Sequence, residues 1–107
     1  MLSCKPQDSP KIKVLSNVEY KAAINKDVQL VDVRTDLEYK DGAINHAINI
    51  DVNGEDFESK IQNLDKTKPV YVYCRSGKRS QKAAHKMIEL GFTQVIDLDG
   101  GYLAWTN

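Results

Sequence analysis

Cysteine is nearly absent: Cys4 and Cys74 are the only two in 107 residues. Two thiols cannot form the disulfide framework that staples small secreted domains. A bridge between them is not expected, because Cys4 lies in a polar tail, where order is usually poor. Three prolines and six glycines are too few for a low-complexity chain, and there is no internal repeat. Neither sign of charge is in excess, with 15 basic and 15 acidic residues. That balance disfavours a general role on nucleic acid or on an anionic membrane. No apolar run approaches membrane-spanning length, and no signal peptide is visible as written.

What is present fits one small globular domain, with 41% hydrophobic residues and a core that has little margin at this length. Residues 1–11 read as a flexible N-terminal tail and 12–107 as the domain. The start, Met1-Leu2-Ser3-Cys4 before a polar stretch to Lys11, also resembles the end of a bacterial lipoprotein signal. A cytoplasmic protein is expected. A periplasmic lipoprotein anchored at Cys4 is the alternative if a longer signal has been removed upstream.

Hydrophobic periodicity and stop signals divide the domain. Ile12–Leu15, Gln29–Val33, Ala47–Ile50, Val70–Tyr73 and Val95–Leu98 read as strands. Ser16 with Glu19 and Thr35 with Glu38 have capping-box spacing. They predict helices running to about Asn25 and a short one after Thr35. Asp56–Leu64 places Phe57, Ile61 and Leu64 on one helical face. Ser80–Leu90 carries Ala83, Ala84, Met87 and Ile88 at helical spacing, with Gly91 placed to end it in a left-handed turn. Gly100-Gly101 turns the chain into a closing helix that bears Trp105. Strands alternating with helices predict an α/β fold with a mostly parallel five-stranded sheet.

Chemistry is concentrated at Val70–Ser80, VYVYCRSGKRS. An apolar central strand ends in Cys74, and a helix is expected within a few residues. Ligands of open α/β sheets bind beyond the carboxyl ends of strands. The connecting loop can turn its amides around an anion, and the next helix adds its positive end. Gly77 permits a sharp curve, and Ser80 is placed to cap the helix. From Arg75 to Lys86 there are five cations and no carboxylate. Such a cradle favours a thiolate, the nucleophilic form of cysteine. Arg75, Lys78 and Arg79 are suited to hold an anionic substrate over it.

Three segments, in order, resemble the rhodanese family of sulfurtransferases. They are LVDVRTDLEYKDGAINHAINI (30–50), CRSGKRS (74–80) and LGFTQVIDLDGGYLAW (90–105). The resemblance implies a parallel five-stranded sheet flanked by helices on both faces. It also implies that Cys74 takes the outer sulfur of thiosulfate or another sulfane-sulfur donor as a persulfide. That sulfur then passes to a thiol, cyanide or a protein acceptor. Backbone amides of Arg75, Ser76, Gly77, Lys78, Arg79 and Ser80 would hold the sulfur, and no metal or organic cofactor is implied. A monomer is the default for so small a domain. The chain departs from the family's pattern at Ala43, where His is usual, and at Asn45-His46, where Pro-Gly is usual.

Other polar residues have plainer expectations. Arg34 with Glu38 reads as a structural pair. His46 reads as a solvent-facing loop residue, and His85, Lys82 and Lys86 as a solvated helix face. Trp105 reads as a packing anchor. A cysteine phosphatase or arsenate reductase is a rival reading, but its Cys-x5-Arg loop has one residue more than Cys74–Arg79. A non-catalytic rhodanese-like binding module is the rival from another class.

Overall fold

The computed structural model describes residues 11–25 and 27–105. The tail assigned to residues 1–11, with Cys4, lies outside them except for Lys11. The chain runs β1 (Ile12–Leu15), α1 (Asn17–Ala23), β2 (Gln29–Asp32), α2 (Asp36–Asp41), β3 (Ile48–Asn49), α3 (Phe57–Ile61), β4 (Val70–Tyr73), α4 (Lys78–Glu89), β5 (Val95–Leu98) and α5 (Gly101–Ala104). The strands form one sheet in the order β1-β5-β4-β2-β3. Every pairing is parallel. β4 is therefore central, as its apolar sequence requires.

Alternation along the strands builds two cores. Val70, Val72 and Cys74 face one way, with Val95, beneath Ala83, Ala84 and Met87 of α4 and Phe57 and Ile61 of α3. Tyr73, Ile96 and Leu98 face the other way, against Tyr20 of α1, with Tyr39 of α2 and Tyr102 of α5 at the margin. Helices thus cover both faces. No helix among the described residues is long and apolar enough to cross a membrane.

Local chemistry sets the helix ends. Ser16 and Thr35 both make complete capping boxes with Glu19 and Glu38. Gly91, at φ 103°, closes α4 as predicted. Its N–H donates to Ile88 O and that of Phe92 to Met87 O, the Schellman pattern. The start of α4 differs from the expectation. Gly77, left-handed at φ 110°, is the cap and makes no side-chain bond. Ser80 is therefore the third helical residue, not the cap. Gly77 turns the chain into helical geometry so early that Lys78 and Arg79 belong to the first turn rather than to the loop.

Candidate active site

Tyr73 ends β4 under heavy constraint. Its hydroxyl donates to Asp32 Oδ2 at 2.8 Å and accepts from Ile44 N–H at 3.0 Å. Its backbone carbonyl accepts from Val33 N–H at 3.0 Å, and its ring stacks on Tyr102 with centroids 6.0 Å apart. Burial pushes the Tyr73 phenol well above its ordinary pKa, so it stays a neutral donor. Asp32 also takes three bonds from the Arg34 side chain, at 2.6–3.1 Å.

Cys74 follows, at the carboxyl end of the central strand. It is only 1% exposed and is a free thiol. Its Sγ accepts from Gly77 N–H at 3.0 Å and donates to Ser80 Oγ at 3.4 Å. Ser80 Oγ in turn donates to Gly77 O at 3.1 Å. The loop therefore closes back on its own sulfur. Gly77, in its left-handed conformation, then leads the chain from this contact into the first turn of α4. The sulfur is buried at the base of the cradle, while Arg75, Ser76 and Lys78 are exposed.

The closing segment holds the loop from behind. Tyr102 N–H donates to Cys74 O at 2.8 Å and Leu103 N–H to Arg75 O at 3.0 Å. Gly101 lies against the same peptides. A Cβ there would stand 2.5 Å from Arg75 O and 2.6 Å from Cys74 O. Gly101 thus serves the site and does more than make a turn.

Arg79 is not left free for a ligand. Its guanidinium forks onto Glu38, Nη1 to Oε1 at 2.8 Å and Nη2 to Oε2 at 3.0 Å. Arg79 hydrogen bonding, with help from Thr35, holds the Glu38 carboxyl down at about 2, against the opposing effect of its partial burial. The expected Arg34–Glu38 pair is thereby overturned: Arg34 belongs to Asp32, and Glu38 to Arg79. The helix-surface reading of Lys82 and Lys86 is also refined. Lys82 donates to Asn53 Oδ1 at 2.8 Å, and Lys86 Nζ lies 5.8 Å from the centre of the Phe57 ring. His85 is exposed, as expected.

A cavity of about 180 Å3 adjoins the loop, lined by Arg34, Glu38, Asp41, Gly42, Arg75, Tyr102 and Leu103. A larger one, about 270 Å3, lies between α1, Trp105 and the 44–46 loop and touches none of residues 74–80. His46 lines that second cavity, is exposed, and holds φ 72°. Trp105 packs edge-on to Tyr20 at 6.1 Å, an anchor as expected.

One buried group went unnoticed in the sequence. Asp97 of β5 is 1% exposed, and its Oδ2 accepts from Gln81 Nε2 at 2.8 Å. Its Oδ1 has no hydrogen-bond partner. Burial raises the Asp97 pKa to about 6, while Ser80, Gln81 and the Leu98 backbone pull the other way. The available signal was an acid on the inward side of an otherwise apolar strand, in step with Val95.

The order of elements, the loop around Cys74 and the closing Gly-Gly segment coincide with a known pattern. The model of the rhodanese-like domain matches residues 16–107. The chain belongs to the rhodanese-like domain family. A thiosulfate sulfurtransferase GlpE of Shewanella oneidensis is 40% identical over 80 residues, covering 75% of this chain and 77% of that protein. A tRNA uridine(34) hydroxylase of Cytophaga hutchinsonii is 38% identical over 97 residues, covering 87% of this chain. The chain spans only 31% of the hydroxylase's length. Among solved structures, a rhodanese-related protein of Thermoplasma volcanium superposes with a TM-score of 0.75 at 28% identity, covering 87% of this chain and 89% of that one. The family match and the relatives named as sulfurtransferases support, for this rhodanese-like domain, a sulfurtransferase in general terms.

Proposed function

We propose that this domain takes sulfane sulfur from thiosulfate or a persulfide donor onto Cys74 and passes it to a thiol, cyanide or a protein acceptor. The observation that carries the reading is the buried Cys74 Sγ, held at 3.0 Å by the Gly77 amide at the mouth of the central strand. Cys74 Sγ, as the thiolate, attacks the outer sulfur of the donor. The donor's S–S bond breaks, and its electron pair leaves with sulfite when the donor is thiosulfate, or with the donor's thiolate when it is a persulfide. Cys74 then bears a persulfide whose terminal sulfur is anionic, and the loop amides face that charge. An acceptor nucleophile attacks the terminal sulfur, and Cys74 leaves as the thiolate.

Arg75 and Lys78 are exposed above the sulfur and suited to draw in an anionic donor. Arg79 serves the loop differently. Its fork onto Glu38 ties the first turn of α4 to α2 across 41 residues, and only the charge left over reaches a donor. Gly77 and Ser80 meet the sulfur directly, while Ser76 contributes loop backbone.

Incubation with thiosulfate followed by intact-mass measurement tests the reading. A gain of one sulfur on the wild type, its absence in Cys74→Ser, and turnover with cyanide support it. No adduct at Cys74 leaves the non-catalytic binding module. Phosphatase turnover without sulfur transfer would instead favour the phosphatase reading.

A further inference from the structure

We propose that Asp97 is a positioning residue for Cys74, acting through the Ser80 hydroxyl as a switch in the hydrogen bonding of the sulfur. The inference rests on Cys74 being the sulfur-carrying nucleophile. Asp97 lies on the α4 side of the sheet. It pairs with Val72, two residues before Cys74, so strand alternation puts Asp97 and Cys74 under the same helix. Ser80 stands between them on the inner face of α4 and is fully buried. Its hydroxyl contacts Sγ, and its side chain is among the groups that act on the Asp97 carboxyl.

The hydroxyl has one proton; it contacts Gly77 O and the cysteine sulfur, and the unpartnered Asp97 Oδ1 is a third acceptor buried under the same helix. The proton goes to Gly77 O when the sulfur is a thiol that itself donates to Ser80 Oγ. A thiolate no longer donates and needs a donor. If Asp97 is protonated, its O–H can donate to Ser80 Oγ, and the serine proton turns to the sulfur. If Asp97 is ionised, the carboxylate competes for that proton and adds a negative charge behind the loop. The two arrangements differ by one proton, which Asp97 releases to solvent as it ionises, and the direction of donation reverses with it.

Burial of this carboxyl is otherwise unexplained. A valine would fill the same position in an apolar layer at less cost, since a buried polar atom without a partner is unfavourable. Few other groups act on Asp97. Gln81 bonds Oδ2, Asp99 follows it in the chain, and Tyr20 approaches from the α1 side. Asp99 and the Tyr20 phenol are titratable groups that interact with it, and the pull of Asp99 is upward.

The test is the rate of Cys74 alkylation by iodoacetamide from pH 5 to 9, in a Cys4→Ser background so that one thiol reports. Wild type, Asp97→Asn, Ser80→Ala and the double variant are compared. The wild-type profile is expected to bend near pH 6, where Asp97 titrates. Asp97→Asn is expected to lose the bend and to react about threefold or more faster at pH 7, the usual sense of removing a neighbouring like charge. In the Ser80→Ala background the same change should alter the rate by less than about twofold, because the route through the hydroxyl is gone. A retained bend and an unchanged rate in Asp97→Asn would overturn the proposal, as would an equal effect with and without Ser80.

A second measurement needs no variant. Carbon-13 NMR of the Asp97 carboxyl should show its titration midpoint move when Cys74 is alkylated, since coupling is reciprocal. An unmoved midpoint overturns the switch. Alkylation reads Cys74 without any transfer chemistry. A protein that fails to load sulfur but keeps the coupling therefore refutes the proposed function and not the switch.

Discussion

Gly101→Ala is the substitution whose outcome the structure determines most tightly. Gly101 holds φ 62°, in the left-handed region, which costs an L-residue about 1–2 kcal/mol. The new methyl would stand 2.5 Å from Arg75 O and 2.6 Å from both Arg75 C and Cys74 O. These are backbone atoms and cannot swing aside as a side-chain tip can. Overpacking of this kind costs about 1–3 kcal/mol. The reduced entropy of the unfolded chain returns about 0.4–1 kcal/mol. The net loss is about 1–5 kcal/mol. With a urea slope of about 2 kcal/mol/M for so small a domain, the midpoint should fall by about 0.5–2.5 M.

Relief by moving the 74–75 peptides would also shift the Gly77 amide from its 3.0 Å contact with Sγ. Sulfur loading should therefore slow tenfold or more, as loss of a preorganised donor commonly does. Gly91→Ala is the matched comparison. It too has positive φ, 103°, but its Cβ would meet only Lys66 Cδ at 3.7 Å. It should cost stability through strain alone and leave loading unchanged. A Gly101→Ala protein with the wild-type urea midpoint and loading rate would refute the idea that the closing segment buttresses the catalytic loop.

Four further outcomes follow from the same geometry. Cys74→Ser should abolish sulfur loading while keeping the circular-dichroism spectrum and unfolding midpoint close to wild type, since it is nearly isosteric. The Glu38 carboxyl, held at about 2, supports stability above its ordinary pKa near 4.5. That support is lost as pH falls from about 4.5 to about 2. Because the pair is a quarter exposed, solvent screening leaves about 1 kcal/mol, and Glu38→Gln should remove that acid limb from the stability profile. Asp97 has the opposite sign: its raised pKa means stability falls as pH rises from about 3.8 to about 6, by about 3 kcal/mol. Asp97→Asn should flatten that fall in urea titrations at pH 4 and pH 7. His46→Gly relieves a non-glycine residue at φ 72° and should raise stability by up to about 1 kcal/mol, read by thermal unfolding.

Much of the frame was legible because it rests on local rules. The order of strands, both capping boxes and the left-handed stop at Gly91 depend on residues a few positions apart and appear as the sequence placed them, though β2 stops at Asp32 and the strand expected at Ala47–Ile50 shortens to Ile48–Asn49. The loop after Cys74 was legible because its glycine and cations are contiguous. Partnerships across the chain were not. Arg34 and Glu38 have the i,i+4 spacing of a helical pair, but Arg34 precedes the Thr35 cap, so the helical rule does not reach it. In extended backbone, residue i−2 lies on the same side, and Asp32 captures the guanidinium. The Arg79–Glu38 fork spans 41 residues and has no local signature. Ser80 was misplaced as a cap because Gly77 was credited with curvature and not with starting the helix. Asp97 was hidden because VIDL was read as a strand by its average character, not by which side each residue faces.

Tyr73 has a bearing on how the site can move. Its side chain is fixed at both the hydroxyl and the ring face, and its carbonyl is tied to Val33, just past the end of β2. Just beyond Cys74, the carbonyls of residues 74 and 75 are tied to α5. The cysteine backbone is therefore clamped fore and aft. An added sulfur atom would therefore hang from an attachment point held by the sheet on one side and by α5 on the other, leaving the Cys74 side chain and the residues after Arg75 to adapt to it.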